Sequence, residues 1–438
     1  MKKTNRLWVL VFSLFFIAAS AGVFIPSESE AASRVVKGRV TSRAAKPKTP
    51  PTFAGGAGTQ KSPYLIRTVT QFAAFAKTVN NGNTYSGKYV KLGADIDLSS
   101  TTWLPVGFFD RNGTRPFKGV FDGSGYTIWN LRAGNAQRSA VGLFGAIEGA
   151  TISRINLQHV DIVGDSNVGA IAAFMKNSTV KDCSVSGTVT GNSAVGGLVG
   201  SALAGMLQNC NFSGTVKGNS GVGGMIGTMD QTAIRTSVVA GRISGTGDVG
   251  GIAGGVLAGD ILDSQANNLS VEGEQNIGGI IGNVIDSGNV SKTSFKGQVA
   301  GDGSVGGIAG RMVAGAIANC SVSGSLRGRD YVGGVVGELA EGEVRSCTAS
   351  ASIVGATGVG GIAGYLAGGK VDRSSNSGSV KGGEAVGGIV GHLFRGSLSG
   401  SKNTGGVSGY LATGGVVGME ESGTLVSDSG STGRTVSR

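Results

Sequence analysis

The six residues Val195-Gly196-Gly197-Leu198-Val199-Gly200 return many times along this chain. The Leu198 position recurs as Leu143, Ile171, Leu198, Met225, Ile252, Ile280, Ile308, Val335, Ile362, Ile389 and Val416, at intervals of 27 or 28 residues. Recurrence at a nearly fixed period is the mark of a repeat architecture, in which each unit buries its apolar face only against its neighbours. Two further apolar columns keep the same period. One holds Ile152, Val180, Leu207, Ile234, Ile261, Ile317, Val344, Val371 and Leu398. The other holds Val189, Val216, Ile243, Val271, Val299, Leu326, Ile353, Val380 and Val407. Three strand-length runs per unit, punctuated by glycine, describe one coil of a parallel solenoid. Helical solenoids need longer runs at helical spacing. The expected class is all-β: a right-handed-type parallel β-helix, or β-solenoid, of about ten 27-residue coils over residues 141–420, a rod of roughly 50 Å at the ~4.8 Å strand spacing.

Outward from the repeats, residues 54–140 read as an N-terminal α+β cap with irregular first coils. Thr70 to Val79 places Phe72, Phe75, Ala76 and Val79 at helical spacing, and Asn80-Asn81-Gly82 ends the helix. Tyr89 to Leu92 and Asp95 to Leu98 alternate like strands, and Phe117 to Leu131 reads as a hairpin around Asp122-Gly123-Ser124-Gly125. A solenoid has an open apolar end, which a helix-bearing aromatic segment would cover. Residues 1–31 read as a cleaved signal peptide, with Lys2, Lys3 and Arg6 before the apolar run Leu7 to Ala19 and a cleavage site at Ser29-Glu30-Ala31. No transmembrane segment is expected after that cleavage. Residues 32–53 form a basic, proline-containing linker, and residues 421–438 a C-terminal tail without a sorting motif.

The formal net charge of +11 is concentrated in the linker, where Arg34, Lys37, Arg39, Arg43, Lys46 and Lys48 stand without an acid. Such a segment is a solvated linker or an electrostatic tether to polyanions such as teichoic acid. The 81 glycines show no three-residue period, and hydrophobic residues at 40% suffice for a core, which excludes a disordered Gly-rich tract.

Cys183, Cys210, Cys320 and Cys347 share one column, which continues as Ser237, Ser264, Thr293, Ser374 and Ser401. That column accepts small side chains. Stacked cysteines lie within disulfide range, but parallel Cβ vectors disfavour the bond, so buried free thiols are expected. The turn column Asp165, Asn192, Asn219, Thr246, Glu274, Asp302 and Arg329 is too mixed for a calcium ladder, and Thr188, Thr215, Arg242, Ser270 and Gln298 too irregular for an ice-binding face. The acids that a polysaccharide-cleaving β-helix would group on one face are Asp95, Asp97, Asp122, Asp161, Asp165 and Asp182. Ordinary turn chemistry explains Asp122 equally well. No residue is assigned a catalytic, cofactor-binding or metal-ligating role, and no nucleic acid is expected as a partner.

The Val-Gly-Gly-Ile/Leu-x-Gly repeat resembles the GLUG motif. Tyr89 to Leu98, Trp103-Leu104-Pro105-Val106-Gly107 and Phe117-Lys118-Gly119-Val120-Phe121-Asp122-Gly123 are similar to the region that leads into such repeats. The resemblance implies an exported or surface protein of bacteria, of the kind that includes IgA-specific metallopeptidases and adhesin-like proteins. It does not carry over peptidase activity. The zinc site of those enzymes needs a His-Glu-x-x-His helix, and the two histidines here are His159, followed by Val160, and His392, followed by Leu393. The reading is a non-catalytic cell-surface or matrix adhesion module, secreted and held non-covalently at the surface. Its expected partners are an envelope polyanion, a glycan, or a host or matrix surface. The alternatives are a carbohydrate-active enzyme (polysaccharide lyase or hydrolase) on the same scaffold, and a structural spacer.

Overall fold

In the computed structural model, residues 52–110, 113–421 and 424–437 are described. The signal-peptide reading and the basic residues of the linker lie outside them.

The chain winds through three parallel sheets. One coil shows the pattern: β1 (Ser193–Gly196) lies in the first sheet, β2 (Val199–Leu203) and β3 (Met206–Gln208) in the second, and β4 (Asn211–Lys217) in the third. Each strand pairs in parallel with its counterparts one coil before and one coil after. In the second sheet Ile152 sits beside Val180, Leu207, Ile234 and Ile261 in turn. The next position is Val290, which the periodic reading left blank, and the column then runs through Ile317, Val344, Val371 and Leu398. In the third sheet Val189, Val216, Ile243, Val271 and Val299 stack likewise. The Leu198 column lies at the corner between first and second sheets. There the Leu198 N–H donates to the Met225 carbonyl at 3.0 Å, and Met225 to Ile252 at 2.9 Å. All three columns are buried through the body of the repeat, so like residues stack on like.

The 28-residue intervals are bulges. Where Ile171 follows Leu143 by 28, the ladder slips one residue between Leu157 and Val160, around His159 at φ 55°. The next two long intervals slip at Asn267/Leu269 and after Val284. A single extra residue is looped outward, and the inward register survives.

Glycine in the motif serves close approach. A Cβ on Gly196 would lie 1.9 Å from the Val199 carbonyl oxygen, one on Gly197 2.2 Å from that of Gly224, and one on Gly200 2.5 Å from the Val168 nitrogen. The left-handed conformations fall mainly on other residues. The corner between second and third sheets carries Arg154, Asp182, Asn209, Thr236, Asp263, Lys292, Asn319, Ser346 and Arg373, with φ between 43° and 54°.

The stack is longer than ten coils. It extends back through Val120–Asp122 and Tyr89–Leu92 to Tyr64–Ile66, and forward to Leu425–Ser427 and Thr435–Ser437, about 14 turns in all. At the ~4.8 Å spacing this is a stack of roughly 65 Å. Residues expected to be a tail therefore form a further coil. The hairpin expected over Phe117 to Leu131 is absent: Val120–Asp122 pairs in parallel with Thr151–Ser153, and Thr127–Trp129 with Asn156–Gln158. Asp122-Gly123-Ser124-Gly125 is a solenoid corner, because both flanking runs are better satisfied by the next coil than by each other. A hairpin does form, between Phe108–Asp110 and Gly113–Arg115.

Helix α1 (Val69–Asn80) begins at Thr68, whose hydroxyl accepts from Gln71 N, while Gln71 Oε1 accepts from Arg67 N at 2.8 Å. Its buried face, Phe72, Phe75, Ala76 and Val79, joins Tyr85, Trp103, Phe117, Phe121 and Phe144 in an aromatic cluster. Phe53, placed in the linker by composition, stacks on Tyr64 at 4.4 Å and belongs to this cap.

Candidate binding cleft

The left-handed corner between second and third sheets aims side chains outward at every coil. Near the N-terminal end it opens into a cleft of about 440 Å³ lined by Ser124, Arg154, Asn156, Asp182, Ser184, Asn209 and Asn211. The groups are already ordered. Arg154 donates to both carboxylate oxygens of Asp122, and Asn209 Nδ2 to Asp182 Oδ1 at 2.8 Å. Ser184 Oγ donates to Asn156 Oδ1 at 2.7 Å, and Asn156 Nδ2 to Thr127 Oγ1 at 3.0 Å. The guanidinium is held above its ordinary range by Asp122, with a smaller contribution from Asp182. A second depression of about 310 Å³ adjoins it on the third sheet, sharing Asn156, Ser184 and Asn211 and adding Gln158, Ser186 and Ser213. Together they present amides and hydroxyls at coil spacing, beside the apolar Val238 and Ala240 of the second depression.

Of the six acids singled out in the sequence, the structure brings two, Asp122 and Asp182, to this cleft. The others are turn and corner residues. Asp95 Oδ1 accepts from Thr127 N at 2.7 Å, and Asp97 Oδ1 from Ser99 N and Asn130 Nδ2, both at 2.9 Å. Those bonds hold Asp97 below the ordinary carboxylate range. Asp161 is exposed on the third sheet. Asp165 accepts from Ser166, Asn192 and Ser139, at the corner between third and first sheets. Asn219 continues this as a short amide ladder, donating to Asn192 Oδ1 at 2.7 Å, in the column read from the sequence as too mixed for a calcium ladder. Among the described residues no three His, Cys, Asp or Glu side chains gather as a metal site needs.

The cysteine column lies inside the same corner. All four cysteines are buried free thiols. Each Sγ donates to the carbonyl two residues earlier, as Cys210 does to Gln208 at 3.3 Å, and Ser237 Oγ makes the same bond to Arg235 at 2.8 Å. Hydrogen bonding to Cys210 and burial push the Cys183 thiol well up. Two outcomes are expected. An aromatic disulfide reagent at pH 8 should leave the native thiols unlabelled and titrate all four on unfolding. Cys210→Ser should shift the urea midpoint by less than about 1 kcal/mol equivalent, since the column already accepts serine. Fast native labelling would contradict this burial.

A second polar track runs along the corner between first and second sheets. Residues three after the Leu position stack there as Ser201, Thr228, Gly255, Asn283, Arg311, Glu338, Tyr365 and His392. Tyr331 stacks on Tyr365 at 4.9 Å, Arg311 pairs with Glu338 at 3.2 Å, and Asn276 Nδ2 donates to Asp248 Oδ1 at 2.8 Å. Burial pushes the Asp248 carboxyl up, opposed by its bonds to Asn276 and Asn283 and by Arg311. An acid raised in the folded state binds its proton more tightly there than in the unfolded chain. Its contribution to stability therefore falls as pH rises through the raised value, and the penalty is relieved on acidification. Asp248→Asn should remove that penalty and offer a donor to Asn283 Oδ1, which is buried without a partner. Urea denaturation from pH 4 to 8 should show the variant gaining on the parent as pH rises. A difference constant across that range would exclude the effect.

Family models agree with this architecture. The GLUG motif matches residues 191–217 and 328–354. The chain carries GLUG repeats. Ahead of them, the model of the M26 IgA1-specific metallo-endopeptidase N-terminal region matches residues 68–187, the helix-bearing cap and first coils. Among curated relatives, halomucin of Haloquadratum walsbyi is 32% identical over 146 residues, which is 31% of this chain and 2% of halomucin. A protein named as a Gly-rich membrane protein of Evansella cellulosilytica is 35% identical over 103 residues, 22% of this chain and 11% of that one. The chain thus spans a small part of the curated relatives it matches. A crystal structure titled as an immunoglobulin A1 protease of Bacteroides ovatus aligns at 20% identity and TM-score 0.43, over 62% of this chain and 78% of that one. Among the described residues no helix is long and apolar enough to cross a membrane.

The cleft residues were not legible as a group. Asp122 and Asp182 stand out for their charge, but Arg154, Asn156, Asn209 and Asn211 lie on outward positions that keep the 27- or 28-residue spacing without keeping the residue type. The one available signal was the residue before each cysteine, Asp182 and Asn209, where the chain needs a left-handed conformation that Asp and Asn tolerate.

Proposed function

We propose that this GLUG-repeat solenoid is a non-catalytic binding module of the cell surface or extracellular matrix, working through outward faces of a rigid stack. The observation that carries the reading is the pre-ordered polar cleft around Arg154, whose amide, hydroxyl and charged groups are fixed by bonds to one another. Rigid groups lose little entropy on engaging a ligand. The names of the relatives, halomucin and a Gly-rich membrane protein, support a surface location. The polysaccharide-cleaving alternative draws less support. Cleavage needs a free acid and base in one groove, whereas Asp122 is committed to Arg154 and Asp182 to Asn209.

The test is retention on producing cells. Cells should be washed with rising salt and the protein followed by immunoblot, beside a pull-down on purified envelope and matrix material. Retention on either surface is the expected result. Protein recovered wholly in the medium, with no binding to envelope or matrix above an unrelated solenoid control, would remove the reading.

A further inference from the structure

We infer that the Arg154 cleft binds an uncharged, extended oligosaccharide lying along the solenoid axis. This rests on the surface-binding reading above and names the ligand class of that site.

Direction comes from the columns. Asn156, Ser184 and Asn211 stand in register on three successive coils, and Arg154, Asp182 and Asn209 form a parallel row at the corner beside them. The two rows repeat at ~4.8 Å along the axis. An extended pyranose chain advances by a similar distance per ring. Each ring therefore meets an amide or hydroxyl of the row Asn156, Ser184 and Asn211 on one side, and Arg154, Asp182 or Asn209 in turn on the other.

Chemistry comes from the polar groups. Sugar hydroxyls both donate and accept, and are matched by side chains that do the same. Asn156, Ser184, Asn209 and Asn211 all have this dual character. Water over an open cleft is displaced without leaving a buried group unpaired, since the ligand's hydroxyls replace its bonds.

Charge decides between neutral and acidic chains. One cation, Arg154, is bidentately engaged by Asp122, and Asp182 lies close enough to act on the same guanidinium. The charged lining residues are Arg154 and Asp182, and the guanidinium is already taken up by Asp122 beside the cleft. A uronate, sulfate or phosphate on the chain would meet the Asp182 carboxylate and an Arg154 already engaged by Asp122, and like charges at this range repel. This site disfavours the polyanions that the basic segment at residues 32–53 would attract.

The full-length protein should be titrated calorimetrically with cellohexaose, laminarihexaose and chitohexaose, and with hexagalacturonate as the charged counterpart. At least one neutral hexasaccharide should bind with a Kd below ~1 mM, a range suited to one shallow cleft. Hexagalacturonate should bind at least ten-fold more weakly. Asn156→Ala with Asn211→Ala should weaken the neutral sugar about ten-fold, with a lowered melting temperature from the lost Thr127 and Ser184 bonds. If that pair fails to fold, Asn211→Trp blocks the cleft from an exposed position and should have the same effect. No binding by any neutral hexasaccharide, equal or tighter binding of the uronate, or full affinity in the blocked variant would overturn the assignment. Failure here is separable from failure of the surface reading. Cells that retain parent and Asn211→Trp protein equally would leave surface binding intact and remove this cleft as its cause.

Discussion

Gly196→Ala is expected to destabilise the folded stack by about 3 kcal/mol or more, at the upper end of what overpacking costs. The added methyl would lie 1.9 Å from the Val199 carbonyl oxygen and 2.7 Å from the Gly227 nitrogen, both backbone atoms that cannot rotate away. The first contact lies across the corner of the same coil and the second with the next coil, so relief requires distorting the corner and straining the ladder that joins the coils. Gly255→Ala is the matched control. It lies two coils further on, yet its nearest neighbour beyond the adjoining residues is Thr228 Cγ2 at 3.7 Å. There the methyl should be neutral or stabilising by up to about 1 kcal/mol, through the unfolded chain. Urea denaturation followed by circular dichroism compares the two. Equal midpoints would mean that the motif glycines are not held by close approach.

Phe75→Ala should cost about 3–5 kcal/mol, the usual range for emptying a buried aromatic site. Phe75 is fully buried and meets Tyr85, Phe117, Phe121 and Phe53 at ring distances of 5.1, 5.6, 6.0 and 6.1 Å. It fastens α1 over the N-terminal end of the stack. Coils in a solenoid touch only their neighbours, so the loss should stay local. Hydrogen exchange should rise through the first coils, Tyr64 to about Gly134, while amides of the Ile252 and Ile280 coils stay protected. Uniform loss of protection along the chain would show instead that the stack unfolds as a single unit.

The interior becomes polar toward the C-terminal end. The third-sheet column that holds Val185, Phe212 and Phe295 continues as Asn376 and Asn403, both buried. Asn376 Nδ2 donates to Asn403 Oδ1 at 2.9 Å, and each Asn side chain also bonds the backbone two residues on. An amide can replace an apolar residue there because stacked amides satisfy one another along the axis. The residues alone did not disclose this exchange, since asparagine reads as a turn former by itself.

What the sequence determined is the inward geometry. Leu143 through Val416, Ile152 through Leu398 and Val189 through Val407 were readable as columns because a stacked coil places each inward residue against its own equivalent, and packing then selects the same type every turn. The α1 helix was readable for a similar reason: one face of it meets a single apolar surface. Tertiary structure alone decided the partners of Val120–Asp122 and Thr127–Trp129. A local turn signal at Asp122-Gly123 serves a hairpin or a corner equally, and only the neighbouring coil chooses between them. It also decided the cleft. Arg154, Asn156, Asp182, Asn209 and Asn211 come from three coils and face solvent, where stacking imposes no repetition. The 27- and 28-residue spacing records that they share an address, but no repeated residue type marks it as a site.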